Sequence, residues 1–255
     1  MDNTLSAADR IGQIGSALMP PMRPKPVPTD DRGAEAVAHG ADTLIVTPLS
    51  WDLIAKRHHS SMVALDKPRT GSVWIDGDTI DDMRCKGVET AKERGFRWLF
   101  FVDADMVLPV DALERLRAHN KPIVGALCRQ RKTPFRATCF RLNDEGWLEW
   151  YHPQGNSGLV RVDATGAACL LIDMQVFADI DEQLPHLAGT WFLDARRIPG
   201  LKPQEKVSED LWFCSLARAA GYEIYVDLDT SVGHLVMGEI IDDGTPEHGA
   251  RFRLE

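Results

Sequence analysis

Two aspartates close an apolar run in this 255-residue chain, Arg97-Trp98-Leu99-Phe100-Phe101-Val102-Asp103-Ala104-Asp105-Met106, so that five hydrophobic residues lead straight into a pair of carboxylates. The run reads as a buried strand, which presents Asp103 and Asp105 at a carboxyl end. Hard oxygen donors in that position suit Mg²⁺ or Mn²⁺. A divalent cation there neutralises the charge that builds on a departing diphosphate without moving a proton. An Asp-x-Asp is common in turns, and the apolar strand in front of it is what marks this one as a site.

A second acidic pair, Glu209-Asp210, falls in the first turn of a helix opened by Ser208, where the helix dipole favours negative charge. Further on, His234 stands in Ser231-Val232-Gly233-His234-Leu235, just after a strand over Glu223 to Asp227. An imidazole downstream of paired acids is a sensible third metal ligand, because its nitrogen binds Mn²⁺ and fixes its position.

The elements that must position these groups are legible as short β-branched or aromatic runs alternating with helix-period stretches, the pattern of an α/β sandwich. Strands are expected at Thr43 to Thr47, Ser72 to Asp76, Trp98 to Asp103 and Ile123 to Leu127. Ile80, Met83, Gly87, Val88 and Ala91 recur at helical spacing between the second and third, and Gly95 supplies a left-handed stop. This is a β-α-β unit, so its strands should be parallel and present functional groups at their carboxyl ends. Thr138 to Leu142 and Trp147 to Tyr151 flank the turn Asn143-Asp144-Glu145-Gly146 and predict an antiparallel hairpin, hence a mixed sheet. Val160 to Asp163 and Cys169 to Ile172 are further strands. Gln183 to Lys206, irregular and containing Pro and Gly, is expected to form a mobile lid. The helix from Ser208 turns Leu211, Cys214 and Ala217 inward and ends at Gly221.

Composition bounds the rest. An apolar fraction of 44% with 26% charged residues is that of a globular protein, no apolar run approaches the length of a membrane span, and no secretion signal is apparent. A cytoplasmic location is the expectation. The five cysteines, Cys85, Cys128, Cys139, Cys169 and Cys214, lack a Cys-x-x-Cys pair and read as reduced structural thiols. A net charge of -9 opposes sequence-independent binding to a phosphate backbone. Met19 to Pro28 carries five prolines, so residues 1–40 are expected to form a flexible segment outside a single domain over 41–255.

These motifs and their order resemble glycosyltransferase family two and its small phage and bacterial relatives of GT-A fold, over roughly Thr43 to Leu235. The resemblance rests on Asp103-Ala104-Asp105, on Gly166-Ala167-Ala168-Cys169-Leu170-Leu171-Ile172 as acceptor-side loop and strand, on Ser208-Glu209-Asp210 and on Gly233-His234. It implies a GT-A three-layer α/β sandwich with a mixed, mainly parallel sheet and a small antiparallel hairpin. It implies that Asp105 and His234 bind Mn²⁺ or Mg²⁺ while Asp103 touches the metal or the ribose. Asp210, or else Glu209, would be the general base, taking a proton from an acceptor hydroxyl as it attacks the anomeric carbon with inversion. Thr47 and Pro48 match the start of the family's nucleoside pocket. Arg84 matches the basic residue of the family's Ala-Arg-Asn segment, although Asp82-Met83-Arg84-Cys85 has Cys85 in place of the Asn. Trp191-Phe192 sits where relatives hold the donor sugar or acceptor. The implied donor is a nucleotide sugar, with UDP favoured; protein, glycan, lipid carrier, small molecule and modified DNA remain open as acceptors.

Trp147, Trp150 and Tyr151 alternate on the hairpin and suit either a core or an acceptor surface, since Trp stacks on the apolar faces of sugars. Arg129, Arg131, Lys132, Arg136 and Arg141 form the one dense basic run and would suit an anionic acceptor. Two other readings compete. Asp103-Ala104-Asp105-Met106-Val107 also fits the signature of haloacid-dehalogenase-like phosphatases with Asp103 as nucleophile, a reading that requires the motif on the first strand of the domain. A non-catalytic GT-A-like protein that binds a nucleotide sugar is the third.

Overall fold

The computed structural model describes residues 40–49, 54–153, 157–199, 201, 206–236, 238–241 and 251–254. The expected Pro-rich N-terminal segment lies outside the described residues as far as position 39. Strand β1 (Thr43–Leu49) leads through helix α1 (Lys56–Ala64) to β2 (Thr70–Asp76), α2 (Ile80–Glu93) and β3 (Trp98–Val102). The short β4 (Met106–Val107) precedes α3 (Ala112–Ala118), β5 (Ile123–Leu127), β6 (Cys139–Leu142), β7 (Leu148–Trp150), β8 (Leu159–Val162), β9 (Ala164–Thr165) and β10 (Cys169–Asp173). Helix α4 (Met174–Gln183), 3-10 turns at Pro185–Leu187 and Ala195–Arg197, α5 (Glu209–Ala219), β11 (Ile224–Ser231), β12 (Gly233–His234), β13 (Gly238–Ile241) and β14 (Arg251–Leu254) complete the order.

The central sheet has seven strands in the order β2-β1-β3-β10-β5-β11-β8. β2, β1, β3, β5 and β11 run parallel, whereas β10 is antiparallel to β3 and β5 and β8 is antiparallel to β11. The sheet is thus mixed and mainly parallel, as the sequence suggests, but for a different reason. The hairpin of β6 and β7 forms a separate three-stranded sheet with β9, and it is β10 and β8 that reverse direction in the main one. The strands of the β2-α2-β3 unit are parallel as expected, with β1 inserted between them.

Alternation along the interior strands builds a core on each face, giving three layers. Leu44, Val46, Leu99, Phe101, Leu170 and Ile172 face one side, where α2, α4 and α5 pack. Ile45, Phe100, Val102, Cys169 and Leu171 face the other, against Leu113 and Leu116 of α3. Such strands are buried on both faces, which is why they read as continuous apolar runs rather than as alternating ones. Pro48 cannot donate a ladder bond, and it falls after the pairing of β1 with β3 has ended at Val46 and Phe101. All five thiols are free, and Cys128, Cys139, Cys169 and Cys214 are buried. Among the described residues no helix is long and apolar enough to cross a membrane.

The expected lid over Gln183 to Lys206 is corrected by the packing of its described part. Leu187, Trp191, Phe192 and Ala195 are core residues. Phe192 stacks on Phe213 at 4.9 Å and meets Phe101 edge-on at 5.3 Å. Asp81 at the start of α2 accepts from the Asp194 backbone at 3.2 Å and pairs with Arg197 at 3.4 Å, which ties the segment to the domain. Residues 200 and 202–205 of the stretch lie outside the described residues.

Gly87 lets α2 approach β1. A Cβ there would stand 2.9 Å from Val46 Cγ1 and 3.1 Å from Phe101 Cε1. Gly87→Ala should therefore lose about 1–3 kcal/mol to overpacking, against a gain of roughly 1 kcal/mol in helix propensity. Urea unfolding checks the sign, and a net stabilisation would show that the interface yields.

Candidate functional site

The carboxyl ends of β1, β3, β5 and β11 share one edge of the sheet, where a doubly wound α/β fold places its ligands. Asp103 follows β3, with its backbone N–H donating to Ala168 O at 2.9 Å. Asp105 comes next, and the chain then forms β4, which pairs antiparallel with β12 so that His234 lies opposite Met106. This small two-stranded pairing is what returns the C-terminal histidine to the acidic pair. The Leu235 N–H donates to Asp105 O at 2.8 Å and closes the contact.

The two side chains meet, with His234 Nε2 lying 3.2 Å from Asp105 Oδ2. His234 Nδ1 is 2.6 Å from Arg129 O. A carbonyl oxygen only accepts, so Nδ1 carries a hydrogen, and Nε2 faces the carboxylate either protonated or as a bare lone pair. The bare lone pair would repel Asp105. A cation, whether proton or metal, therefore belongs between them. Burial works against charge on His234, but the Asp105 hydrogen bond and the Arg129 carbonyl outweigh it and raise its pKa above the ordinary value. Burial likewise pushes the Asp105 carboxyl up, yet the bond from His234 and the charges of His234 and Arg131 hold it below the usual range.

The pair supplies one imidazole nitrogen and one carboxylate oxygen, two donors of types that Mn²⁺ accepts. Two ligands about 2.1 Å from an ion and at right angles stand about 3 Å apart, close to the spacing here. The Arg129 carbonyl presets the tautomer that exposes Nε2, as ligating histidines require. Arg131 Nη1 at 3.1 Å occupies Asp105 Oδ2 as well and must give way to a metal. Asp103 is not part of this pair. Both of its oxygens accept from Arg84 Nη2, at 3.0 and 3.2 Å, and among the described residues no three His, Cys, Asp or Glu side chains gather as a metal group. Asp105 and His234 are thus brought together, and Asp103 is turned to a different partner.

That partner organises the second acidic pair. Arg84 is 2% exposed, and its guanidinium lies 3.6 Å from Glu209 Oε1 and 3.4 Å from Ala167 O while stacking over Phe101 at 5.2 Å. Burial disfavours its charge, but Asp103, Glu209 and Asp210 together hold the guanidinium firmly protonated. Cys85, next to Arg84, donates its thiol to Phe192 O at 3.4 Å. Glu209 is 7% exposed, and burial followed by the neighbouring Asp210 raises its pKa despite Arg84. Asp210 is more open. Ser208, expected to cap the helix through its side chain, instead donates its hydroxyl to Asp210 Oδ1, which also accepts from Leu211 N at 2.8 Å. The other oxygen of Asp210 faces Gly166, in the loop that leads into β10.

The remaining residues fall as follows. Thr47 and Pro48 are buried at the end of β1, on the same sheet edge as Asp103. Trp191 is 3% exposed, its indole N–H donates to Asp181 at 2.8 Å and its ring meets Phe177 at 5.9 Å, so it offers no face to solvent or to a bound sugar. Two contributors escaped the sequence reading. His58 of α1 is 2% exposed and lies 2.8 Å from Met106 O, where its Nδ1 braces the strand after Asp105; burial lowers its pKa. Its spacing from Met62 and Leu65 was the available signal. Arg196, gripped by Asp194 at 2.7 and 3.0 Å, extends to 3.9 Å from Glu209 Oε2.

No protein-family model matches the chain, and no curated protein does. The class the fold defines is a Rossmann-like α/β sandwich. Among solved structures, the crystal structure of A197 from STIV is similar to it at 14% identity, with a TM-score of 0.49 over 84% of this chain and 93% of that one. That likeness concerns the course of the chain alone.

Replacing Arg84 tests the role of the buried guanidinium. Arg84→Met should cost about 3–5 kcal/mol at neutral pH, because it strands Asp103 and Glu209 without a counter-charge. Glu209 then titrates still higher in the folded state, a cost present at neutral pH that vanishes as both states take up the proton. The deficit in urea titrations should shrink near pH 4.5, the ordinary value of the group. A deficit independent of pH would assign Arg84 a packing role only.

Proposed function

We propose that this chain is a metal-dependent glycosyltransferase of GT-A type, moving a sugar from a nucleotide diphosphate, UDP favoured, to an acceptor hydroxyl. The observation that carries the reading is the 3.2 Å approach of His234 Nε2 to Asp105 Oδ2 across 129 positions of sequence. Asp105 and His234 would hold Mn²⁺ or Mg²⁺. When bound, the cation supplies neutralisation of the leaving diphosphate. Asp103, fixed by Arg84 on the same sheet edge, is positioned to accept from a ribose hydroxyl with the lone pairs that Arg84 leaves free. Thr47 and Pro48 flank that edge from β1.

The general base of this proposal is Asp210. It is the more exposed of the pair, it is oriented by Ser208, and it faces the Gly166 loop. Glu209 has the raised pKa but is enclosed by Arg84 and Arg196, so its part is to hold charge balance beneath the site. A base opposite the leaving group gives inversion of the anomeric centre. The phosphatase alternative fits less well, because two strands, β1 and β2, precede the one that carries Asp103.

Calorimetry with UDP should show binding that depends on Mn²⁺ or Mg²⁺ and disappears with chelator. Asp105→Ala should abolish that dependence. Asp210→Asn should preserve UDP affinity while lowering transfer, measured with a panel of UDP-sugars and acceptors, by about a hundredfold or more. Equal UDP affinity in chelator would defeat the metal assignment, and full turnover by Asp210→Asn would defeat the base.

A further inference from the structure

The loop from β5 to β6 builds a groove beside this edge that the donor reading does not use. It has a volume of about 380 Å³ and is lined by Arg129, Pro134, Phe135, Arg136, Ala137 and His152. The loop is internally braced. Arg129 and Ala137 form an isolated β-bridge, Gln130 N donates to Arg136 O at 2.9 Å, and Arg129 Nη1 donates to Phe135 O at 3.2 Å. Arg136 rests over the Trp150 ring at 5.6 Å, and Phe135 is 39% exposed, an aromatic held open at the rim. Among the described residues no carboxylate lies within ion-pair distance of Arg129, Lys132 or Arg136, in a protein of net charge -9. Clustered cations without acidic partners, next to an unpacked aromatic, are complementary to an anion that carries an apolar face.

The position of the groove ties it to both halves of the site. On one side Arg129 O holds His234, and Arg131 reaches Asp105. On the other, Ala137 adjoins Thr138, whose Oγ1 and the Asp210 Oδ2 both lie against Gly166, at 3.2 and 3.4 Å from where its Cβ would be. We infer that this groove is the acceptor pocket, and that it takes a small molecule bearing a phosphate and an apolar ring or chain, with Arg129 and Arg136 on the phosphate and Phe135 on the apolar part. The assignment as acceptor pocket rests on the glycosyltransferase reading. The groove admits a ligand of drug-like size rather than a polymer. The overall negative charge also opposes a polyanion or an anionic membrane far more than one phosphate.

Phenyl phosphate and inorganic phosphate are the probes, titrated calorimetrically into the whole chain without metal. Phenyl phosphate should bind, and more tightly than inorganic phosphate. The double substitution Arg129→Gln with Arg136→Gln should weaken it about tenfold or more. Phe135→Ala should erase the advantage over inorganic phosphate and leave phosphate binding intact, which also guards against a misfolded double variant. Asp105→Ala should lose Mn²⁺ and retain phenyl phosphate, so failure of the metal reading and failure of this pocket give different results. The inference is overturned if wild type does not bind phenyl phosphate, if the double variant binds it unchanged, or if binding requires Mn²⁺. Tighter binding to phosphatidylglycerol vesicles or to an oligothymidylate than to phenyl phosphate would likewise overturn it, by assigning the cations to a membrane or to nucleic acid.

Discussion

A single buried guanidinium sets the geometry of the acidic edge. Arg84 leaves water entirely, and it does so against three carboxylates contributed by two distant elements, the end of β3 and the first turn of α5. Glu209, itself buried, would be costly alone in this environment, and it is tolerable because the same cation faces it. The constraint fixes the distance between the diphosphate side of the proposed site and its base side. It also explains why Asp103 and Asp105, two residues apart, have separate tasks: one is committed to Arg84 and the other is left for His234.

The rest of the fold serves this arrangement. Antiparallel β10 between β3 and β5 brings the Gly166 loop to the sheet edge beside Asp210. The β4 and β12 pairing carries the histidine back to Asp105, with His58 holding the shared strand from below. Phe192 and Phe213 stack beneath Arg84 on the side away from solvent, so the polar cluster rests on a rigid aromatic floor.

Much of this was legible in the sequence because it depends on local patterns. The apolar run into Asp103, the helical spacing of α2, its Gly95 stop and the hairpin around Asn143 each announce themselves within a few residues, and the structure has all of them. Three helices did not. α1 begins with no side-chain cap, α3 spans under two turns, and α4 starts directly from β10, with Asp173 serving as both strand end and cap through its bond to Gln175 N at 2.9 Å. No turn residue marks that boundary. The segment around Trp191 looked like a lid because Pro and Gly signal irregular backbone, yet irregular backbone packs as tightly as a helix when it carries Trp191, Phe192 and Ala195 inward. Within the site, the meeting of Asp105 and His234 followed from motif order, whereas the commitment of Asp103 to Arg84 depends on tertiary packing that no spacing encodes.

The proposed function requires a cation shared between Asp105 and His234, and a nitrogen ligand would make that cation directly observable. Pulsed electron paramagnetic resonance of the Mn²⁺-loaded protein should show coupling to a directly bound imidazole nitrogen, and that coupling should vanish in His234→Ala while remaining in Asp103→Asn. A Mn²⁺ spectrum without nitrogen coupling in the wild-type protein would contradict the proposed metal site and, with it, the sugar-transfer function built upon it.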